Sequence, residues 1–314
     1  MLQTRIVMPS GLTNAVLDVL AQQPGATNVL TFPSAARKPV GDLVIVDLAR
    51  ECTDSVVGSL RELGVLESGS LGLVAIDTAL GNAVVQAERA APGEASDAVV
   101  WDEVTSRTRE DATLTWSFVL FLCLATMLAA IGVITDSPIT VVGAMVVGPE
   151  FGPLAGIALG LMRGKRRIAR RAVIALGVGF PVAIAVTAVG VVLARATGLV
   201  HASDLASQDR LTRFIYEPGA WSLITALIAG AAGMLSLTSS KSAVLVGVFI
   251  SVTTVPAAGN VAVGLVLKLY GEALGSAIQL LVNLIGIVVA ACLVLALQLW
   301  LQRRSVITQR QPTV

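Results

Sequence analysis

The sequence predicts an α-helical multi-pass membrane protein carrying a small N-terminal α+β domain of ferredoxin-like type. Three observations lead there. Hydrophobic residues make up 55% of the 314 residues and charged residues only 14%, with a mean hydropathy of +0.81, a balance that soluble chains of this length do not show. Apolar runs long enough to cross a bilayer recur from Leu114 onward. Residues 1–80 instead alternate short strand-like and helix-like runs.

In order, residues 1–80 read as strand Thr4–Met8, helix Gly11–Gln22, strands Ala26–Phe32 and Asp42–Ala49, helix Thr53–Leu63 and strand Ser70–Thr78. That βαββαβ order predicts an antiparallel sheet with two helices on one face. Alternation is clearest from Asp42 to Leu48. No phosphate loop or metal-ligand cluster falls in this region. Its plainer role is a folded cap that aids assembly, and its functional role is a sensing or regulatory module. Residues 81–113 follow as a connection: an Ala- and Gly-rich linker over Gly81–Ala95, then a charged helix over Ser96–Asp111 with Ser96 or Asp97 as N-cap and Trp101 suited to a membrane interface.

Residues 114–302 hold six apolar runs: Leu114–Ile134, Ile139–Met162, Ala172–Ala194, Trp221–Leu237, Ala243–Leu267 and Leu274–Leu301. Six spans are expected. Arg163–Arg171 concentrates positive charge between the second and third runs, which the positive-inside rule assigns to the cytoplasm. Counting from there puts the N-terminal domain and the tail, residues 303–314, in the cytoplasm and the Arg195–Ala220 loop outside, in a cell membrane. The N-terminal residues lack the apolar core of a signal peptide.

Several function classes are disfavoured. The net charge is +1 and the basic residues lie between apolar runs, so no nucleic-acid partner is expected. Three cysteines and one histidine, His201, offer no disulfide framework, zinc pair or Ser-His-Asp set. Neither a Walker loop nor a dinucleotide fingerprint occurs. No enzyme and no cofactor are expected.

The second run carries the strongest departure from a plain span. About 24 residues reach roughly 36 Å as a helix, yet the middle reads Gly148-Pro149-Glu150-Phe151-Gly152-Pro153. Pro149 and Pro153 cannot donate backbone hydrogen bonds, so carbonyls near Met145 and Pro149 are expected to lose helical partners. An ionised Glu150 at that depth costs on the order of 3 kcal/mol. Such an acid is expected to face a cavity, a partner or a permeating ion. The alternative is a protonated acid bonded to a freed carbonyl. Gly148, Gly152, Gly156 and Gly160 share one helix face, and are expected to pack the second span tightly against the fifth. Asp136 reads as a helix-end residue, and Gln279 and Asn283 as interhelical glue.

A repeat appears at about 105 residues. Trp116-Ser117 matches Trp221-Ser222 and, after one residue of slippage, Ile157–Leu161 matches Val261–Leu265. The fifth run has its own break over Thr253, Thr254, Pro256 and Asn260, with Thr254 at the position equivalent to Glu150. Three spans per unit require the second copy to be inverted, the 3+3 arrangement of many secondary transporters.

The run from the charged helix through Thr135-Asp136-Ser137-Pro138 and Gly143-Ala144-Met145 to Gly152-Pro153 resembles the membrane family catalogued as domain of unknown function 389. The resemblance implies a multi-pass protein, often with a ferredoxin-like N-terminal region, and supplies no activity. In that family the residue between Pro149 and Phe151 is usually apolar, so Glu150 is a departure. Together these readings predict a transporter or channel-like permease, embedded in the lipid bilayer and homo-oligomeric. Its pathway for a small solute or ion is expected at Pro149, Glu150, Gly152, Pro153, Thr253, Thr254, Pro256 and Asn260. The competing expectation is a membrane-anchored sensor or scaffold acting through the N-terminal domain.

Overall fold

The computed structural model describes residues 1–91, 93, 98–201, 211–216, 219–239 and 254–309. They form two compact units, the first built on Met1–Ser106 and the second beginning at Arg107.

In the first unit, β1 (Leu2–Met8), β2 (Ala26–Arg37), β3 (Val40–Leu48) and β4 (Ser70–Ala75) make one sheet in the order β2-β3-β1-β4. Each neighbouring pair is antiparallel, with Ile6 opposite Val44 and Leu71. α1 (Thr13–Ala21) and α2 (Arg50–Glu62) follow β1 and β3, and a single turn, α3 (Val65–Ser68), precedes β4. Period-two alternation buries Ile6, Met8, Val44, Val46 and Leu48 against Val16, Leu20, Val56 and Leu60 of the helices. β2 runs five residues past the expected Phe32, because Arg37 and Val40 pair and extend the hairpin with β3. The expected linker contains a helix, α4 (Asn82–Ala90), whose Val84 and Ala87 are buried.

Asp42 joins β3 to the start of α1. It accepts bonds from Ser10 Oγ and Thr13 Oγ1, both at 2.7 Å, and from the Ser34 backbone N–H at 2.8 Å. The Ser34 amide, then the Thr13 and Ser10 hydroxyls, hold its carboxyl below the usual range, against the opposing effect of burial. A depressed carboxylate stabilises the fold above its unfolded pKa, and that contribution disappears as pH falls through the folded value. Asp42→Asn is therefore expected to weaken this unit at neutral pH, with the difference from wild type shrinking below about pH 4. Urea unfolding followed by Trp101 fluorescence, with the other tryptophans replaced by Phe, checks it; a pH-independent difference would count against the assignment.

α5 (Trp101–Asp111) leads into the second unit. There α6 (Trp116–Ile134) is N-capped by Thr115, which accepts from Phe118 N–H at 3.1 Å. α7 (Pro138–Val147) is capped by Ser137, with Pro138 in the first turn where its missing N–H is harmless. α8 (Phe151–Met162) follows after Gly148-Pro149-Glu150, and the pair bends by 54°. Next come α9 (Arg166–Ala196), α10 (Ala220–Thr238), α11 (Val255–Val266) and α12 (Tyr270–Gln309).

Among the described residues four helices, α6, α9, α10 and α12, are long and apolar enough to cross a membrane, or five spans if the bent pair counts as one. Six spans were expected; the first half of the run Ala243–Leu267 lies outside the described residues, which leaves α11 alone as a short apolar helix. Packing follows membrane rules. α9 turns Ala172, Ala175, Gly179 and Ala183 inward and leaves Val178, Val182, Val189 and Leu193 exposed, because lipid solvates large apolar side chains and small ones let backbones approach.

Helix bounds recur along the unit. α10, α11 and α12 begin 104 residues after α6, α8 and α9, the separation that also relates Thr254 to Glu150. The turns match as well: Gly164 (φ 67°) ends α8 and Lys268 (φ 64°) ends α11, both left-handed, although a lysine there costs roughly 1–2 kcal/mol.

The glycine face of α8 does not pack where the sequence placed it. A Cβ on Gly156 would lie 2.7 Å from Ala112 and 3.3 Å from Ala172, and one on Gly160 would lie 2.6 Å from Ala169. The face seats α9 and the residues after α5. The short Gly164-Lys165 turn folds α9 back along α8, so the nearest neighbour in sequence takes the small-residue face.

Candidate functional site

Glu150 and Thr254 each stand immediately before a helix, at the N-cap positions of α8 and α11. Neither side chain caps its own helix. Thr254 Oγ1 instead donates to Glu150 Oε1 at 2.6 Å, and both residues are fully buried. The bond ties together two helix starts, whose unpaired N–H groups and macrodipoles favour negative charge. A helix start is a backbone environment that favours a carboxylate without a cationic side chain.

The prolines have a different part from the one expected. Pro153 is the third residue of α8 and Pro256 the second of α11. A first-turn proline withholds an N–H that has no intrahelical acceptor in any case. The chain breaks at Gly148-Pro149-Glu150 and α8 starts afresh, so Pro153 sets the direction of a new helix and frees no carbonyl within an old one.

A cavity of about 350 Å³ opens beside this break. Gly148, Pro149, Phe151 and Gly152 line it, together with Asp111, Thr113 and Thr115, whereas Glu150 is not among its described lining residues. The carboxyl of Glu150 is turned to Thr254, while the backbone beside it faces the cavity. Asp111 was not anticipated as a site residue. It ends α5, packs on Gly152, and has its carboxyl pushed up by burial, with Glu110 adding to the effect and Arg107 opposing it. A detectable signal existed, since an acid in the last turn of a helix opposes the macrodipole.

Other expected residues separate from this pair. Asn260 lies further along α11, and its Nδ2 donates to Ser276 Oγ of α12 at 2.8 Å. Thr253 lies outside the described residues. Asp136, left-handed at φ 46°, accepts from the backbone of Leu211 and Thr212 at 3.0 Å and from Thr212 Oγ1 at 2.8 Å. It anchors the loop before α10. Asn283 accepts from Ser222 Oγ at 3.3 Å, joining α12 to α10.

Bent apolar helices, an inward small-residue lining and a buried acid at a helix break define a polytopic membrane protein with a polar interior point. Residues 145–289 match the family model described as Domain of unknown function (DUF389), in agreement with the resemblance read from the motifs around Asp136 and Gly152. An uncharacterized protein of Methanocaldococcus jannaschii is 26% identical over 163 residues, which cover 52% of this chain and 48% of that relative. The chain thus spans about half the length of the curated relative it matches. No solved structure matches it.

Proposed function

We propose that this protein is a permease, a transporter or channel-like pathway for a small ion or solute, working at the helix starts that meet at Glu150 and Thr254. The observation that carries the reading is the buried bond between those two side chains, neither of which caps its own helix. A scaffold has no need of an acid there, whereas a pathway uses one that alternates between partners as access changes. The cavity that reaches Pro149 and Gly152 supports an approach from one side.

The architecture proposed is six spans in two inverted halves. Helices α6, α8 and α9 recur 104 residues later as α10, α11 and α12, and a unit with an odd number of spans reverses its orientation on repetition. The basic stretch Arg163–Arg171 supports cytoplasmic termini in a cell membrane. Thiol reagents added from outside are expected to label a cysteine placed at His201 and none placed at Arg167; labelling at both would remove the model.

The N-terminal unit is proposed to be ferredoxin-like, on the strength of its element order and the β2-β3-β1-β4 sheet. The sensor or scaffold alternative draws on that unit. Its edge strand β2 leaves Leu30 and Phe32 half exposed, an invitation to pair with a second copy, so a homo-oligomer is proposed under either reading.

Glu150→Gln tests the permease. It preserves shape and an acceptor for Thr254 but cannot carry charge. In proteoliposomes assayed with a panel of monovalent and divalent cations and protons, the variant is expected to assemble like wild type and to lose the pH dependence of flux. Equal flux and pH profile in wild type and variant would assign Glu150 to structure alone, and wild-type vesicles tight to the whole panel would favour the scaffold.

A further inference from the structure

The hairpins α8–α9 and α11–α12 close in the same way: Gly160 packs on Ala169, and Gly264 packs on Ala273, with an added Cβ meeting the partner at 2.6 Å and 3.0 Å. Further from the turn, equivalent positions continue to meet, but their chemistry differs. In the first hairpin Gly156 lies against Ala172. In the second, at the same 104-residue separation that relates Glu150 to Thr254, Asn260 donates to Ser276 at 2.8 Å. Next along the same helices, buried Ala175 of α9 is matched by Gln279 of α12, only 2% exposed.

Glycine and alanine therefore suffice to pack this kind of hairpin, and the polar set is not required for closure. It also carries a cost. Asn260 is 0% exposed, and Oδ1 of Asn260 and Oε1 of Gln279 are buried with no hydrogen-bond partner among the described residues. Each such orphan is destabilising. Ser276 and Gln279 stand three residues apart, on one face of α12, and Ser276 is bonded to Asn260. The group thus offers neutral oxygen atoms in a buried position.

We propose that Asn260, Ser276 and Gln279 bind a monovalent cation. Uncharged carbonyl and hydroxyl oxygens suit a singly charged ion, whereas divalent ions draw carboxylates into their first layer of ligands. The site does not rest on the permease reading, since a cation held in this hairpin would serve a scaffold equally.

The test uses purified full-length protein in nanodiscs, with the melting temperature followed in NaCl, KCl and N-methyl-D-glucamine chloride at equal ionic strength. Sodium or potassium is expected to raise the melting temperature saturably above the organic cation. The Asn260→Gly/Gln279→Ala variant, which copies the residues of the first hairpin, is expected to assemble and lose that response. Ser276→Ala is expected to raise the half-saturating concentration about tenfold, as loss of one oxygen ligand implies. Wild-type protein that melts identically in all three salts overturns the site. An undiminished saturable response in the double variant, or in Gln279→Ala alone should the double variant not assemble, overturns it as well. Cation-dependent melting without flux would retain this site and remove the permease.

Discussion

Gly160→Val is expected to keep the α8–α9 hairpin from closing, and Gly160→Ala to weaken it by about 1–3 kcal/mol. An added Cβ would lie 2.6 Å from Ala169 Cβ, 2.8 Å from its backbone nitrogen and 3.0 Å from its Cα. Two of those atoms are backbone, so relief requires α9 to move away from α8, and the seam they share includes the fully buried Ala172. A branched side chain adds bulk that no rotamer removes. Gly177→Ala, in α9 with nothing within 4 Å of the added carbon, is the control and is expected to be neutral or slightly stabilising, as alanine favours a helix over glycine. Size-exclusion profiles and melting curves in detergent check both. Wild-type stability for Gly160→Val would mean that the two helices do not meet along this face.

Thr254→Val is expected to destabilise the second unit by about 1.5–3 kcal/mol, the range for a hydrogen bond to a charged group. Valine keeps the shape of threonine and removes the donor that reaches Glu150 Oε1 at 2.6 Å. In a Glu150→Gln background the same change is expected to cost only about 1 kcal/mol, because the acceptor is then neutral. The difference is the coupling between the two helix starts, which a double-mutant cycle isolates. Identical costs in both backgrounds would show that Glu150 carries no charge when bonded to Thr254, and no cost in either would show that the bond contributes nothing.

Much of this protein is legible in one dimension. Hydropathy belongs to a single segment, so the apolar helices α6, α9, α10 and α12 could be read directly, within two residues for α6 and α10, while α9 begins six residues earlier and α12 runs eight residues further than the expected runs. Alternation in Asp42–Leu48 likewise announces a strand with one buried face, and Gly148-Pro149 announces a break. The sequence also pairs Glu150 with Thr254 across the expected repeat, and the two side chains are bonded to each other.

What the sequence by itself determined, then, are the class of protein, the order of the four strands and of the helices that follow β1 and β3, and the location of the break at Gly148-Pro149-Glu150. Only the tertiary structure decided what lies across from each surface. The glycines of α8 present an acceptable face to any small-residue helix, and a short turn gave that face to α9. Asp111 looked like an ordinary charged helix end until Gly152 was packed against it. Asn260, Ser276 and Gln279 are scattered polar residues in sequence and become a group only because α11 and α12 fold back on each other. Local pattern follows from chain geometry and solvent preference within a few residues. Partner choice depends on contacts between distant segments, and in a membrane small apolar faces are so nearly interchangeable that the assembled helices alone distinguish among them.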